Sequence, residues 1–566
     1  MKILSRHLNR ITILSIFITT LSACSKKDFA EYNTDPDAVI NISLPPLFAQ
    51  AITSAHNNDF EAFYDNYNFI SRWSRAFLSR TGNGITVSEN AANTNNRYGR
   101  FYIGVGNVLV DIQKTVDKMS EDEKARYVYM RTIPTILKVY NAWYVSDVNG
   151  SLAYTEAFGA RYGGTLTPKY ETQSELYATF DQELKAAVEI LKKEQPVEQF
   201  SYGNSDLYFK GDVSRWIKAA NSLRLKIALR LSKRDPQRMA TIVKEVLADA
   251  SNVINSADEE WVFYPGAQFT GGGNWNITGN GRAFVGDHDV IDYMWNNQDP
   301  RLRFFFVKNM WSEDNFALAK AQGKIPSSSI FDTRRYYGQY SSPSSPNDPK
   351  KSRFFTPIQI ANGQSTITLD TVSRIQDRLF QPENNGGTGL GTMPLITYAD
   401  VCFMRAELAQ RGTTSESAEE WYYKGVEASL KFYDKAAKKA LIYDYSPLTD
   451  TEIATFKQQP DIKFKASKGL EQIVLQAYLN FFKNYNEAWA IVKRTNMPNN
   501  NTAIAFEPWF VEGQAIKMPR RFVINYPLAG DYNYQNRFDA IEEMRKDPDF
   551  GEPTSILGRV WWDKSE

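Results

Sequence analysis

The chain is 566 residues long, and its 66 Lys and Arg nearly cancel its 65 Asp and Glu, leaving a formal net charge of +1. With no long basic run, the electrostatic footprint of a nucleic-acid binder is missing and nucleic acid is excluded as a partner. Two cysteines and three histidines rule out a disulfide framework and leave little material for a multi-histidine metal site or a Ser-His-Asp triad.

Lys2, Arg6 and Arg10 give a basic start, and Ile11 to Leu21 form an apolar run broken by Thr and Ser. That run is shorter than the roughly 20 residues a spanning helix needs. It ends in Leu21-Ser22-Ala23-Cys24, small residues before a cysteine, the layout of a lipoprotein signal peptide over 1–23. Cleavage before Cys24 and diacylglycerol on its sulfur, with an N-acyl chain, would anchor the product to a membrane. Residues 24–42 then read as a lipidated linker, and Cys402 is left as the lone thiol.

Beyond the linker the chain reads as mainly α. Thr172 to Glu194 opens on capping residues and spaces Leu176, Phe180, Leu184, Ala187, Val188 and Leu191 by threes and fours, one apolar stripe. A second helix begins at Ser214 with Ile217, Ala220, Leu223, Ile227 and Leu231 on one face. Asp235-Pro236 then supplies the cap and first position of a third, carried by Met239, Ile242, Val243, Val246, Ala250 and Val253. The last two form a helical hairpin, and similar units can be drawn around 122–147, 397–411, 416–442 and 469–494. No fixed repeat period survives, so the pattern supports tetratricopeptide-like hairpins without a counted array. Trp143, Trp216, Trp421 and Trp489 fall on amphipathic helices and are assigned to the core.

Between about 258 and 396 the texture changes to Gly, Pro, Ser, Asn and aromatic residues, which read as loops. A stretch this long is either a disordered insertion or a set of functional excursions, and its rings argue against disorder. Asp287-His288-Asp289 with Asp292 could suggest a metal, but before Val290-Ile291 they read as a helix start.

Several segments, taken in order, resemble the SusD/RagB family over nearly the whole chain beyond Cys24. They include Tyr32-Asn33-Thr34-Asp35-Pro36, Ser146-Asp147-Val148-Asn149-Gly150 with Tyr154-Thr155-Glu156-Ala157, and Gly211-Asp212 with Trp216 and Ala220-Asn221-Ser222-Leu223-Arg224. Asp299-Pro300-Arg301-Leu302, Glu487-Ala488-Trp489 with Lys493-Arg494-Thr495, and Val560-Trp561-Trp562-Asp563 continue the series. Ala153 departs from it, standing where proline is usual. The resemblance implies a SusD-like ligand-binding domain over 43–566, a tetratricopeptide-like scaffold with aromatic-rich excursions. It also implies lipid attachment at the outer membrane, facing outward, beside a SusC-like TonB-dependent transporter, with ligand delivered and neither catalysis nor cofactor.

Sugars offer apolar C–H faces to Trp and Tyr rings while their hydroxyls seek polar side chains, so ring-bearing loops are the candidate site. Trp275, in a Gly-Asn segment, Trp311, beside Asn309 and Ser312, and Tyr336, Tyr337 and Tyr340, beside Arg334 and Arg335, are candidate contacts. Burial on the scaffold, or for the tyrosines contact with the transporter, competes with that role. The resemblance adds Arg80, Asn83, Asn96 and Tyr98, similarly placed to a family segment bordering the ligand. Glycan and peptide cargo both suit such loops, with glycan the expected one. A surface glycoside hydrolase would have to rest on paired carboxylates, which composition permits and nothing singles out. An adhesion protein would share the anchor and helices without needing a concave aromatic site.

Overall fold

Helix starts in this chain are marked by short polar side chains that take up the first free N–H groups. The computed structural model describes residues 43–57, 60–80, 94–266, 284–380 and 391–565. The expected signal peptide, Cys24, the linker, Asn83 and Trp275 lie outside these described residues. The chain divides into two units, Met1–Pro46 and Leu47–Glu566, and the second contains the core and the candidate site.

The first half holds α1 (Leu44–His56), a π-helical segment (Glu61–Ile70), α2 (Gly106–Asp117), α3 (Val128–Asn149), α4 (Gln173–Lys192), α5 (Val213–Arg230) and α6 (Pro236–Leu247). Thr172 closes a capping box with Glu175, its N–H donating to the Glu175 carboxylate at 2.8 Å. The cap of α5 is Asp212, which accepts from Ser214 and Arg215 at 2.9 and 3.3 Å, so the helix begins one residue before the expected Ser214. Asp235 and Pro236 start α6 as expected. That helix stops at Leu247 rather than running to Val253, because Asp249 accepts the Ser251 N–H and restarts the chain as the short turn Ala250–Asn252.

The excursion carries α7 (His288–Asn296) and α8 (Glu313–Ala321), and the C-terminal part α9 (Tyr398–Gln410), α10 (Ala418–Ala440), α11 (Asp450–Lys457), α12 (Gly469–Asn480), α13 (Tyr485–Thr495) and α14 (Tyr534–Arg545). The span 469–494 is thus two helices. The turn Phe481–Lys483 between them drives Phe482 inward to stack on Phe305, with centroids 4.1 Å apart. Helices α2 to α6 pack each on the next, α9 packs on α10 and α12, α12 on α13, and α5 meets α9 to join the two series. Among the described residues no helix is long and apolar enough to cross a membrane.

Trp143, Trp216 and Trp489 are buried as expected, whereas Trp421 is only half-buried, with the Arg405 guanidinium 3.6 Å from its ring centroid. The core also takes in charge. Arg230 of α5 donates to Asp147 of α3 at 3.1 Å and to Glu487 of α13 at 2.8 Å, and lies 5.2 Å from the Trp143 and Trp562 ring centroids. On α9, Glu407 accepts from Arg494 of α13 at 2.6 Å and from Arg411 at 2.8 Å. Burial disfavours the Glu407 charge, but Arg494 and Arg411 outweigh it and hold the carboxyl at about 2. A depressed carboxyl stabilises the fold above its ordinary value of 4.5, and that stability is lost as pH falls towards 2. Glu407→Gln is therefore expected to cost about 3 kcal/mol near neutral pH. Its penalty should shrink through the acid range, as read by urea unfolding at a series of pH values. A penalty independent of pH would contradict the assignment.

The excursion between 284 and 380 is more ordered than a run of loops. Strands Leu78–Ser79 (β1) and Phe284–Val285 (β3) pair antiparallel, as do Trp261–Phe263 (β2) and Met393–Ile396 (β6). Ile358–Asn362 (β4) and Ser365–Leu369 (β5) form a hairpin that buries Ile360 and Leu369 beneath α8. Sequence texture concealed these elements because Gly, Ser and Asn at their ends outnumber the few inward-facing residues.

Candidate functional site

Asp287 caps α7, its carboxylate accepting the Asp289 N–H at 2.9 Å, so the suspected metal cluster is a helix start. Asp289 in turn accepts from Arg75 at 3.3 Å and from the Glu507 N–H at 2.7 Å, and Asp292 pairs with Arg334. Asp289 and Asp292 thus tie elements together, while Asp287 caps its own helix.

The strip from Arg334 to Tyr340 is laid against α7 by backbone pairing. His288 N–H donates to the Gln339 carbonyl at 2.9 Å, and Gln339 N–H to that of Gly286 at 2.9 Å. The approach requires glycine at 338, since a Cβ there would fall 2.4 Å from the Asp287 carbonyl carbon. On its other side the strip receives the Asn309 N–H on the Arg335 carbonyl and the Ser373 N–H on that of Tyr337, each at 2.7 Å. Three strands of irregular chain thus present the rings from a braced backbone.

Trp295, in the last turn of α7, is 38% exposed. Its ring centroid lies 6.4 Å from that of Tyr336, and the Arg334 guanidinium stands 5.3 Å from Trp295 and 4.4 Å from Tyr337. Arg334 is fixed there by Asp292 and by donation to the Tyr336 carbonyl at 2.7 Å. Tyr337 donates its hydroxyl to Asp332. Tyr340 stacks on His288, with centroids 3.9 Å apart and planes 18° from parallel, and the Lys351 ammonium is 4.1 Å from its ring.

Burial pushes the Tyr336 phenol up to about 12 and raises Tyr337 and Tyr340, the first helped by Asp332 and the second by Asp292. Burial opposes charge on His288, but its hydrogen bond to Asp289 and the charge of Asp292 outweigh it and raise its pKa. Near neutral pH the face therefore combines uncharged rings with cations and hydrogen-bonding groups, able to stack on an apolar surface while bonding to hydroxyls.

A family model described as starch-binding and associating with the outer membrane, SusD-like, matches residues 36–527. The chain belongs to this SusD-like family. No curated protein matches it. Among solved structures it is similar to a chitin-binding protein at 20% identity, with a TM-score of 0.69, covering 92% of this chain and 100% of the other. A SusD homologue from Bacteroides fragilis gives 20% identity and a TM-score of 0.66, again with 92% and 100% covered. A chitin-binding SusD homologue from Flavobacterium johnsoniae gives 20% and 0.64, with 92% and 99% covered. The SusD-like chain shares their fold, the mainly helical, tetratricopeptide-like scaffold expected from its sequence.

In this SusD-like chain the described sequence candidates fall in three places. Tyr336, Tyr337 and Tyr340 lie on the face just described. Arg80 braces it from just beyond β1, donating to Asp370 at 2.9 and 3.1 Å and to the Gln339 side chain and the Phe354 carbonyl at 2.7 Å each. Trp311 lies two residues beyond Asn309 and packs half-buried on Ala319, Ile360 and Leu369. Asn96 and Tyr98 make their contacts elsewhere. Asn96 donates to Asp65 through its backbone at 2.9 Å and its carboxamide at 3.2 Å. The Tyr98 hydroxyl meets that of Tyr170 at 2.9 Å, in a cleft reaching Arg537 of α14. Trp295, Arg334's second ring contact and the stacking role of His288 were not foreseen. Sequence periodicity gave no signal for Trp295, which follows Ile291 by four residues and so falls at the edge of the apolar stripe of α7; its exposure is a tertiary fact.

Proposed function

We propose that this SusD-like chain is a cell-surface lipoprotein that captures oligosaccharide and passes it to a SusC-like TonB-dependent transporter, without chemistry of its own. The observation that carries this reading is the braced face on which Trp295, Tyr336, Tyr337 and Tyr340 stand among Arg334, Lys351 and Asp332. A starch-binding family description and two chitin-binding structural neighbours support glycan over peptide as the cargo. Trp275, Asn83 and Trp311 stand as further contacts in the proposal, with Tyr98 and Asn96 at its margin and Arg80 as a support.

In the same proposal residues 1–23 are removed, Cys24 carries lipid, 24–42 is the linker and 43–566 the binding domain at the outer face of the outer membrane. A tethered binder raises the effective concentration of ligand at the transporter without needing tight affinity. Glycan and peptide arrays probed with the purified chain test the cargo, and turnover of a bound oligosaccharide would overturn the non-catalytic role. Cys24→Ala is expected to leave ligand binding in solution unchanged and to release the protein from membranes, lowering uptake by cells. Retention in the membrane fraction would refute lipid anchoring.

A further inference from the structure

A separate cavity lies where the π-helical segment, α3 and the junction of α12 with α13 meet, and it shares no residue with the Trp295 face. Its cavity volume is about 160 Å³, and it opens to solvent on one side. One wall is bonded internally. Arg100 pairs with Glu61 at 2.8 Å, Tyr144 donates to Glu61 at 2.7 Å, and the Asn486 carboxamide donates to Tyr144 at 2.8 Å.

Other groups lining the cavity are left over. The Lys483 ammonium donates to the Leu379 carbonyl and stands 4.5 Å from the Phe380 ring centroid, and no carboxylate of the described residues pairs with it. The Tyr140 hydroxyl and the Asn484 carboxamide make no hydrogen bond among the described residues. A buried ammonium without an anion is unfavourable, and burial alone pushes Lys483 down to about 7. Since Glu61 answers Arg100, Lys483 is left as the lining cation with no acid beside it among the described residues, and a bound carboxylate would favour the charged form that burial opposes. A single carboxylate balances it, whereas a phosphate dianion would need further donors.

We propose that this cavity binds a carboxylate-bearing sugar unit of an acidic glycan, with the carboxylate on Lys483 and hydroxyls on Tyr140 and Asn484. The rings of Tyr67, Phe380 and Tyr485, the first 6.3 and 6.1 Å from the other two, supply apolar walls for the C–H faces. The inference takes glycan cargo from the proposed function but adds a charge class that the Trp295 face does not specify.

Calorimetric titration of the purified full chain with D-glucuronate and D-glucose, alike but for the carboxylate, tests it. Glucuronate is expected to bind at least about tenfold more tightly. Lys483→Met should abolish that preference and leave glucose binding and the unfolding temperature unlowered, since the lysine answers no buried acid among the described residues. Asn484→Ala, a second variant that keeps the lysine, should weaken glucuronate binding severalfold. Equal affinity for the two sugars, or unchanged glucuronate affinity in Lys483→Met, would overturn the proposal. Neutral oligosaccharide bound to the Trp295 face with no glucuronate preference would sink this inference alone and leave the general function standing.

Discussion

Arg230→Met is expected to lower the unfolding free energy by about 3–5 kcal/mol, among the largest single losses this fold can show. The guanidinium bonds Asp147 of α3 and Glu487 of α13 from its place on α5, and all three side chains are buried. Burial opposes ionisation of Glu487, and Arg230 foremost, with Lys226, holds its pKa below the ordinary carboxylate value. Methionine fills much of the volume but takes the guanidinium from two buried carboxylates, leaving Glu487 with Lys226 at 3.6 Å as its remaining cation and Asp147 without its own. The variant should therefore also become more stable, relative to wild type, as pH is lowered. Combining Arg230→Met with Asp147→Asn and Glu487→Gln removes the stranded charges and should recover a substantial part of the loss. Urea unfolding of the single and triple variants measures both effects. A single-variant loss under about 1 kcal/mol would mean that the three helices are held by apolar packing alone.

That network also shows what could be read from sequence and what could not. Thr172, Asp212, Asp235 and Asp287 announce helix starts because a cap acts on N–H groups two or three residues away, and such local chemistry survives in the linear order. Asp147 and Glu487 sit in segments resembling the family and Arg230 lies six residues beyond a third, yet nothing local shows that they meet in one buried cluster, because the pairing spans 83 and 257 residues. The hairpin β4–β5 was legible in principle, since Ile358, Ile360, Ile367 and Leu369 alternate around Asn362-Gly363, with Gly363 at φ +61° in the turn. The surrounding Ser, Asn and Gly masked it. At the candidate site, the choice of tyrosines followed from ring density, but the choice between solvent and core is tertiary. Tyr336 packs its edge on the main core, Tyr340 stacks on His288, and Trp311 has a small core of its own.

Those placements give Trp295→Ala and Trp311→Ala opposite expected outcomes. Trp295 is 38% exposed and engages Arg334 and Tyr336 without entering the core, so its loss should shift the unfolding temperature little. If its free face receives the ligand, the variant should lose at least about 2 kcal/mol of binding, roughly thirtyfold, as aromatic anchors of binding sites commonly do. Trp311 covers Ala319, Ile360 and Leu369, so alanine there opens the small core beneath α8 and should cost stability first. Titrating both variants with starch and chitin oligosaccharides, alongside thermal unfolding, separates the two roles. Unchanged affinity in Trp295→Ala would remove the α7 face from the site. A loss confined to Trp311→Ala with its melting temperature intact would move the site to the α8 side of the excursion. Arg334→Met sharpens the result, because Arg334 links Trp295 to Tyr337 while pairing with Asp292. Weakened binding there with Trp295 still in place would show that the ligand needs the cation among the rings as well as the rings themselves.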